Sequence, residues 1–211
     1  QFRWAKGSIQ VAKKLLPTIL RSNVPWSVKT EAFFHLTNNF AYPLLLLLSM
    51  LLLPNLLVRT HHGWREVLLI DLPLFFGTTL SVAAFYITSQ REIDRGGWLK
   101  TLKRLPLMMS LGIGLCINQT RAVFEALLVR DSGEFVRTPK HGVRGKLEGW
   151  SAKKYRAAKT IVPALEIGFA AYFGLAMLLA VKNGHWLSMP FLLLFFVGYA
   201  YVGVLSAFQH R

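Results

Sequence analysis

The chain has 211 residues, of which 53% are hydrophobic, and a formal net charge of +15. Its charged residues are grouped between long apolar runs, a pattern typical of a membrane protein in which Lys and Arg mark the cytosolic segments. No basic block is interleaved with exposed aromatic residues in a soluble module, and Cys116 is the only cysteine, which argues against a nucleic-acid-binding module and excludes an internal disulfide.

The amino-terminal residues 1–30 combine a polar and aromatic cluster with an amphipathic stretch. The cluster contains Gln1, Arg3 and Trp4. A guanidinium group can bind a diphosphate through paired hydrogen bonds, and an indole can stack on a sugar. Arg and Trp are also common anchors at a membrane surface, so both interpretations stay open. Residues 8–21 place apolar side chains on one half of a helix and cations on a separate arc, which predicts a helix lying flat on the membrane.

Two apolar runs predict membrane spans within residues 31–89. Residues 32–58 are long enough to cross a hydrocarbon layer of about 30 Å, and residues 67–88 predict a second span after a short loop. This loop contains His61 and His62. Adjacent histidines without a Cys or a carboxylate at ligand spacing do not indicate a metal site.

The next part, residues 90–129, starts with a basic loop and continues as a helix with a polar stripe. Five positions between residues 105 and 129 recur every three or four residues and share one helix face: Ser110, Gly114, Asn118, Arg121 and Glu125. Arg121 and Glu125 are four residues apart, so we expect them to pair. The stripe and the basic flanks favour a re-entrant or interfacial helix over one that crosses the membrane.

Residues 130–160 are the most basic stretch and predict a cytosolic loop, because positive charge accumulates on the cytosolic side. Within this loop, Phe135, Thr138 and Lys140 surround Pro139. A hydroxyl and an ammonium group can meet phosphate oxygens, and a phenyl ring can pack on a base or a sugar. A plain basic linker is the alternative at this point.

Two further spans, residues 161–181 and 188–208, close the chain. Gly198 and Gly203, together with Tyr199 and Tyr201, are expected to serve close helix packing. Glu166 lies near the inner end of a span, where we expect it to pair with the basic loop.

Together these elements predict an all-α membrane protein with about four transmembrane helices, two amphipathic interfacial helices and a cytosolic gating-type loop. They form one membrane domain, which divides in chain order into residues 1–30, 31–89, 90–129, 130–160 and 161–211. The chain begins without Met and directly at its polar cluster. We therefore expect it to be the C-terminal part of a longer protein whose catalytic domain lies upstream.

The amino-terminal cluster resembles a motif of the membrane-embedded, processive glycosyltransferases of family 2. This family includes cellulose synthases and the cellulose synthase-like mannan and glucan synthases, and it carries a Gln-x-x-Arg-Trp motif at the cytosolic mouth of its channel. Arg3 and Trp4 match the last two positions. Gln1 matches a second Gln in the mannan-synthase-like branch, so the leading Gln of the motif is expected just before this chain.

The basic loop resembles the gating loop of the same family, which has the pattern Phe-x-Val-Thr-x-Lys. Phe135, Thr138 and Lys140 fit this pattern, and Arg137 stands where Val is usual. The order of parts also agrees with the family: motif, interfacial helix, two spans, interfacial helix, gating loop and two further spans. The resemblance covers essentially the whole chain.

The resemblance implies an inverting hexosyltransferase that moves glucose from UDP-glucose, or mannose from GDP-mannose, to a growing β-glycan and translocates the polymer. Trp4 would stack under the terminal sugar of the acceptor, and Arg3 would approach the diphosphate or the acceptor end. Phe135, Thr138 and Lys140 would close over the donor.

The resemblance also implies what this chain lacks and where it resides. The Asp general base and the divalent metal, Mg or Mn, would belong to the upstream catalytic domain, so this chain alone is expected to be inactive and to bind no metal. The expected partners are the nucleotide sugar, the β-glycan, membrane lipids and the upstream domain, without nucleic acid. The expected location is the bacterial inner membrane.

Two alternatives stay open. An enzyme of the same family can transfer a single sugar to a lipid acceptor, as ceramide glucosyltransferases do, and would then need a lateral opening to lipid. The chain can also be part of a transporter without chemistry, which would be expected to show internal repeats or paired broken helices. Residues 32–88 and 161–208 share hydrophobicity but no repeat.

Overall fold

The structure, a computed structural model, describes residues 1–59, 80–94, 96, 98–128 and 161–209. Within these ranges the chain is helical apart from short turns and contains no strand, which confirms the predicted all-α class. The helices are α1 (Phe2–Arg21), α2 (Trp26–Thr37), α3 (Ala41–Arg59), α4 (residues 80–93), α5 (Trp98–Gly114), α6 (Cys116–Leu128), α7 (Val162–Lys182) and α8 (Met189–Gln209). Short 3-10 turns, Asn38–Phe40 and Trp186–Ser188, precede α3 and α8.

Three segments of the described chain are long and apolar enough to cross a membrane: Trp26–Val58, Val162–Lys182 and Trp186–Phe208. They correspond to three of the four predicted spans. The first is longer than predicted, because α2 continues through a 3-10 turn into α3. The predicted span at residues 67–88 lies largely outside the described residues.

The single helix predicted over residues 105–129 is two helices in the structure. α5 and α6 meet at Leu115 with a bend of 46°, and together they are apolar enough to form a broken span or a re-entrant segment. Gly112 and Gly114 precede the bend, and glycine weakens a helix at that point. The prediction of one continuous helix was therefore wrong, and a fourth crossing is compatible with the geometry.

α7 and α8 are joined by a tight turn that contains Gly184. Gly184 has a φ of 75°, a left-handed conformation that glycine adopts without strain. The amide of His185 donates to the carbonyl of Ala180 at 2.8 Å, and the amide of Gly184 donates to the carbonyl of Val181 at 3.2 Å. This is a Schellman motif, which satisfies the last carbonyls of α7.

Small residues bring α5 and α8 into backbone contact. A methyl group added to Gly198 would overlap the carbonyl oxygen of Ser110, and one added to Gly114 would overlap the carbonyl oxygen of Gly198. Further along α8, a methyl carbon added to Gly203 would lie 3.0 Å from Cβ of Glu166. The prediction of close helix packing is confirmed for Gly198, Gly203 and buried Tyr199, but not for Tyr201, which is 58% exposed.

Tyr199 of α8 joins four helices inside the bundle. Its ring stacks on Phe169 and Phe173 of α7, with centroids 5.0 and 5.8 Å apart. Its hydroxyl lies 2.8 Å from Oγ of Ser49 in α3 and 3.0 Å from Sγ of Cys116 in α6. A hydroxyl away from water needs such partners, so this side chain sets the spacing of α3, α6, α7 and α8.

Pro54 removes a hydrogen bond from α3, and α7 restores it. Proline has no N–H, so the carbonyl of Met50, four residues earlier, lacks its helical donor. The hydroxyl of Tyr172 in α7 donates to this carbonyl at 2.8 Å. It also accepts from the amide of Leu53 at 3.1 Å. α3 is therefore fixed to α7 at the position of the proline.

Candidate functional site

The binding residues predicted at the amino terminus lie on the first turn of α1: Gln1, Arg3 and Trp4. Gln1 is the N-cap, and its carbonyl accepts the amide of Ala5 at 3.0 Å. The side chain of Trp4 is 75% exposed, and Arg3 is also exposed. Successive residues of an α-helix point about 100° apart. The guanidinium group and the indole are therefore suited to two different contacts, rather than to one shared contact.

α1 begins at Phe2 and includes the residues predicted to precede it. The predicted start at residue 8 was wrong, because Gly7 does not break the helix. A glycine inside a helix costs about 1 kcal/mol relative to alanine. Ala5 and Ile9, on either side of Gly7, are both buried, and their packing offsets that cost.

One strip of α1 packs on α6. Ile9 is buried in a small cluster with Val123 and Ala126. The guanidinium carbon of Arg121 lies 5.5 Å from the centre of the Phe2 ring, a cation–π contact. Three other apolar side chains of α1 stay exposed: Val11, Leu15 and Leu20. α1 therefore has one strip on protein, while apolar side chains on more than one side of the helix stay uncovered by the described residues.

A charge cluster holds the first two turns of α1 on α6. Lys6 Nζ lies 3.2 Å from Glu125 Oε2, and Arg121 Nε lies 2.9 Å from Glu125 Oε1. The predicted pairing of Arg121 with Glu125 is confirmed. Lys6 was not predicted as a member, because the contact joins residues 119 positions apart. Glu125 thus links the polar stripe of α6 to the helix that carries Arg3 and Trp4.

Lys13 of α1 binds the end of α6. Its ammonium group donates to the carbonyl of Ala126 at 2.9 Å and to that of Leu127 at 3.0 Å. The last carbonyls of a helix lack intrahelical donors and carry partial negative charge. A lysine there supplies hydrogen-bond donors and balances that charge. The last turn of α6 therefore lies beside the middle of α1.

The predicted gating-loop residues lie outside the described residues: Phe135, Thr138 and Lys140. The structure describes both chain ends of this interval, Leu128 at the end of α6 and Ile161 before α7. The first of these ends follows directly from the turn that Lys13 binds.

Four buried polar atoms have no hydrogen-bond partner within the described ranges: Gln119 Oε1, Thr120 Oγ1, Glu166 Oε2 and His185 Nε2. Glu166 is only 1% exposed. Glu166 is expected to pair with the basic loop, residues 130–160, which lies outside the described residues. An acidic residue in an apolar span was a usable sequence signal, whereas the burial of Gln119 and Thr120 in α6 was missed.

The described residues contain no group of three or more His, Cys, Asp or Glu that could hold a metal ion. His61 and His62 lie outside them. Comparison with family models, with curated proteins and with solved structures finds no match for this chain.

Proposed function

We propose that the chain is the membrane part of an inverting glycosyltransferase of family 2. The enzyme would transfer a hexose from UDP-glucose or GDP-mannose to a growing β-glycan and move the polymer across the bacterial inner membrane. One observation carries the proposal: Arg3 and Trp4 are exposed on the first turn of a helix that is fastened to the end of α6. From that end the chain enters the interval that contains Phe135, Thr138 and Lys140.

The contacts that hold α1 on α6 suit a binding role for Trp4. A side chain that stacks on a sugar needs a fixed backbone, because ordering it on binding would lower the affinity. Lys6 and Lys13 bind α6 from two successive parts of α1, and Ile9 is buried between them. The helix is therefore held in place while its first turn stays accessible.

The chain length allows the two motifs to meet. Trp4 and Lys13 are nine positions apart on one helix, a distance of about 14 Å. Phe135 lies eight positions after Leu127, which Lys13 binds, and a segment of that length spans at most about 29 Å. Phe135 is therefore within reach of the first turn of α1.

The directions of the two side chains suggest separate roles. The indole of Trp4 would stack under the terminal sugar of the acceptor and hold its hydroxyl toward the donor. The guanidinium group of Arg3 would bind the diphosphate through paired hydrogen bonds. The general base and a divalent cation would be supplied by the upstream domain, and the cation would stabilise the leaving diphosphate.

The membrane setting agrees with a polymer-translocating enzyme. The described chain has three helical segments able to span a membrane, or four if α5 and α6 form one broken span. α1 and the α5–α6 pair would lie at the cytosolic interface, with the catalytic domain above them and the glycan leaving between the spans.

The proposal is tested by replacing Trp4 with alanine in the full-length enzyme and measuring incorporation of labelled sugar from UDP-glucose and GDP-mannose in membrane vesicles. The loss of an aromatic contact of about 1.4 kcal/mol lowers the rate about tenfold. Trp26→Ala is the matched control, since Trp26 is 78% exposed and lies on α2; it should retain the wild-type rate. Equal rates for the two variants would remove the stacking role.

A further inference from the structure

An open groove lies beside α1, away from Arg3 and Trp4. It has a volume of about 440 Å³ and runs between the second half of α1, the 3-10 turn before α3 and the end of α6. Its walls are mostly apolar and include Leu16, Pro17, Phe40 and Leu127. Apolar walls of this extent attract a hydrocarbon chain, because burying it removes apolar surface from water.

The groove carries a cation at one end. Arg21 is the last residue of α1 and lines the groove. The groove also contains Lys13, but its ammonium group already donates to the carbonyls of α6. The side chain of Arg21 forms no hydrogen bond or ion pair with the residues that the structure describes. Its five N–H donors are therefore available to an anion from outside the chain.

The position of Arg21 fits the boundary between water and hydrocarbon. The candidate span Trp26–Val58 begins five residues after Arg21, and Pro25 separates the two helices. Trp26 is exposed, and Lys29 Nζ lies 5.7 Å from the centre of its ring. Exposed Trp next to Lys or Arg is typical of the headgroup level of a bilayer. The groove therefore has its cation at headgroup depth.

We propose that this groove binds one phospholipid with an acidic headgroup. An acyl chain would lie against Leu16, Pro17 and Phe40, and the phosphate would accept hydrogen bonds from the guanidinium group of Arg21. A headgroup with net negative charge is favoured, because the chain has a net charge of +15 and the groove presents no carboxylate among its lining residues. The lipid would fill the space between α1 and the first span.

The test uses the full-length protein in detergent, titrated with phosphatidylglycerol or with phosphatidylcholine carrying the same acyl chains, and native mass spectrometry to measure bound lipid. We expect one phosphatidylglycerol to bind with at least tenfold preference. Arg21→Gln should weaken phosphatidylglycerol about tenfold and leave phosphatidylcholine unchanged. Leu16→Gln should weaken both lipids, because it places a polar group on the apolar wall.

Lys29→Gln is the control for general surface charge, since Lys29 lies on α2 and outside the groove. It should leave both affinities unchanged. A loss equal to that of Arg21→Gln would overturn the proposal in favour of nonspecific attraction, and so would full binding by Leu16→Gln. Far-ultraviolet circular dichroism checks that each variant is folded. Arg21→Gln is the variant least able to affect folding, because Arg21 is exposed.

Discussion

Lys6 and Glu125 are 119 positions apart in the sequence, yet Nζ of one lies 3.2 Å from Oε2 of the other. Both side chains are about 30% exposed, and Glu125 also binds Arg121. An isolated surface pair contributes about 0.5 kcal/mol, and a partly buried network contributes more. This contact therefore helps to decide where the first turn of α1 lies.

The contact predicts a coupling between the two residues. In a double-mutant cycle with Lys6→Met and Glu125→Gln, the coupling free energy should be about 1 kcal/mol, measured by thermal unfolding in detergent at low salt. Half-molar salt should reduce the coupling, because screening weakens exposed charges. Strictly additive effects of the two substitutions would contradict a direct interaction.

Lys13 should protect the last turn of α6 from opening. Lys13→Met removes the donor to the carbonyls of Ala126 and Leu127, and amide hydrogen exchange at residues 125–128 should become about tenfold faster. Lys14→Met is the matched control, because Lys14 is the next residue and is exposed without such a contact in the described structure. Equal exchange in both variants would argue that Lys13 is not the constraint.

The contact between α5 and α8 predicts that Gly198 tolerates no side chain. Gly198→Ala would drive a methyl group into the carbonyl oxygen of Ser110, and overpacking of this kind costs about 1–3 kcal/mol. Gly168→Ala in α7 is the control, since its methyl group would meet nothing within 4 Å. It should stabilise α7 slightly through helix propensity. Thermal unfolding in one detergent compares the two, and equal melting temperatures would disprove the close contact.

The hydrogen bond from Tyr172 predicts a rescue by a second substitution. Tyr172→Phe leaves the carbonyl of Met50 without a donor and should cost about 1–3 kcal/mol. In a Pro54→Ala background the restored amide can bond Met50, so the same substitution should cost much less. Tyr201→Phe, at an exposed tyrosine, serves as the control. An equal cost of Tyr172→Phe in both backgrounds would rule out the compensation.

Sequence patterns within one segment were sufficient to predict the membrane spans and the face that a helix shares. Apolar runs predicted the spans of α3, α7 and α8, since crossing a membrane requires length and hydrophobicity within one segment. The three-to-four-residue stripe predicted that Arg121 and Glu125 share a face, and their pairing is confirmed. The glycines of α8 predicted close packing without naming the partner.

The errors and omissions concern interactions between distant segments. The start of α1 was placed after Gly7, because the burial of Ile9 on α6 is not visible in a local pattern. The break at Leu115 has two glycines nearby, but apolar periodicity continues through it. The contacts of Lys6 and Lys13 join segments more than a hundred positions apart. The sequence predicted which residues form the candidate site. The directions of their side chains became clear only with the structure of the helix that carries them.

The contact of Gly114 with Gly198 has a mechanical consequence. With the two backbones touching, α5 cannot slide along α8 without bringing residues that carry side chains to a place where only glycine fits. α6 begins two residues later, past the 46° bend. The touching main chains therefore fix the register of α5 against α8, and the bend at Leu115 sets the direction in which α6 leaves this pair toward α1.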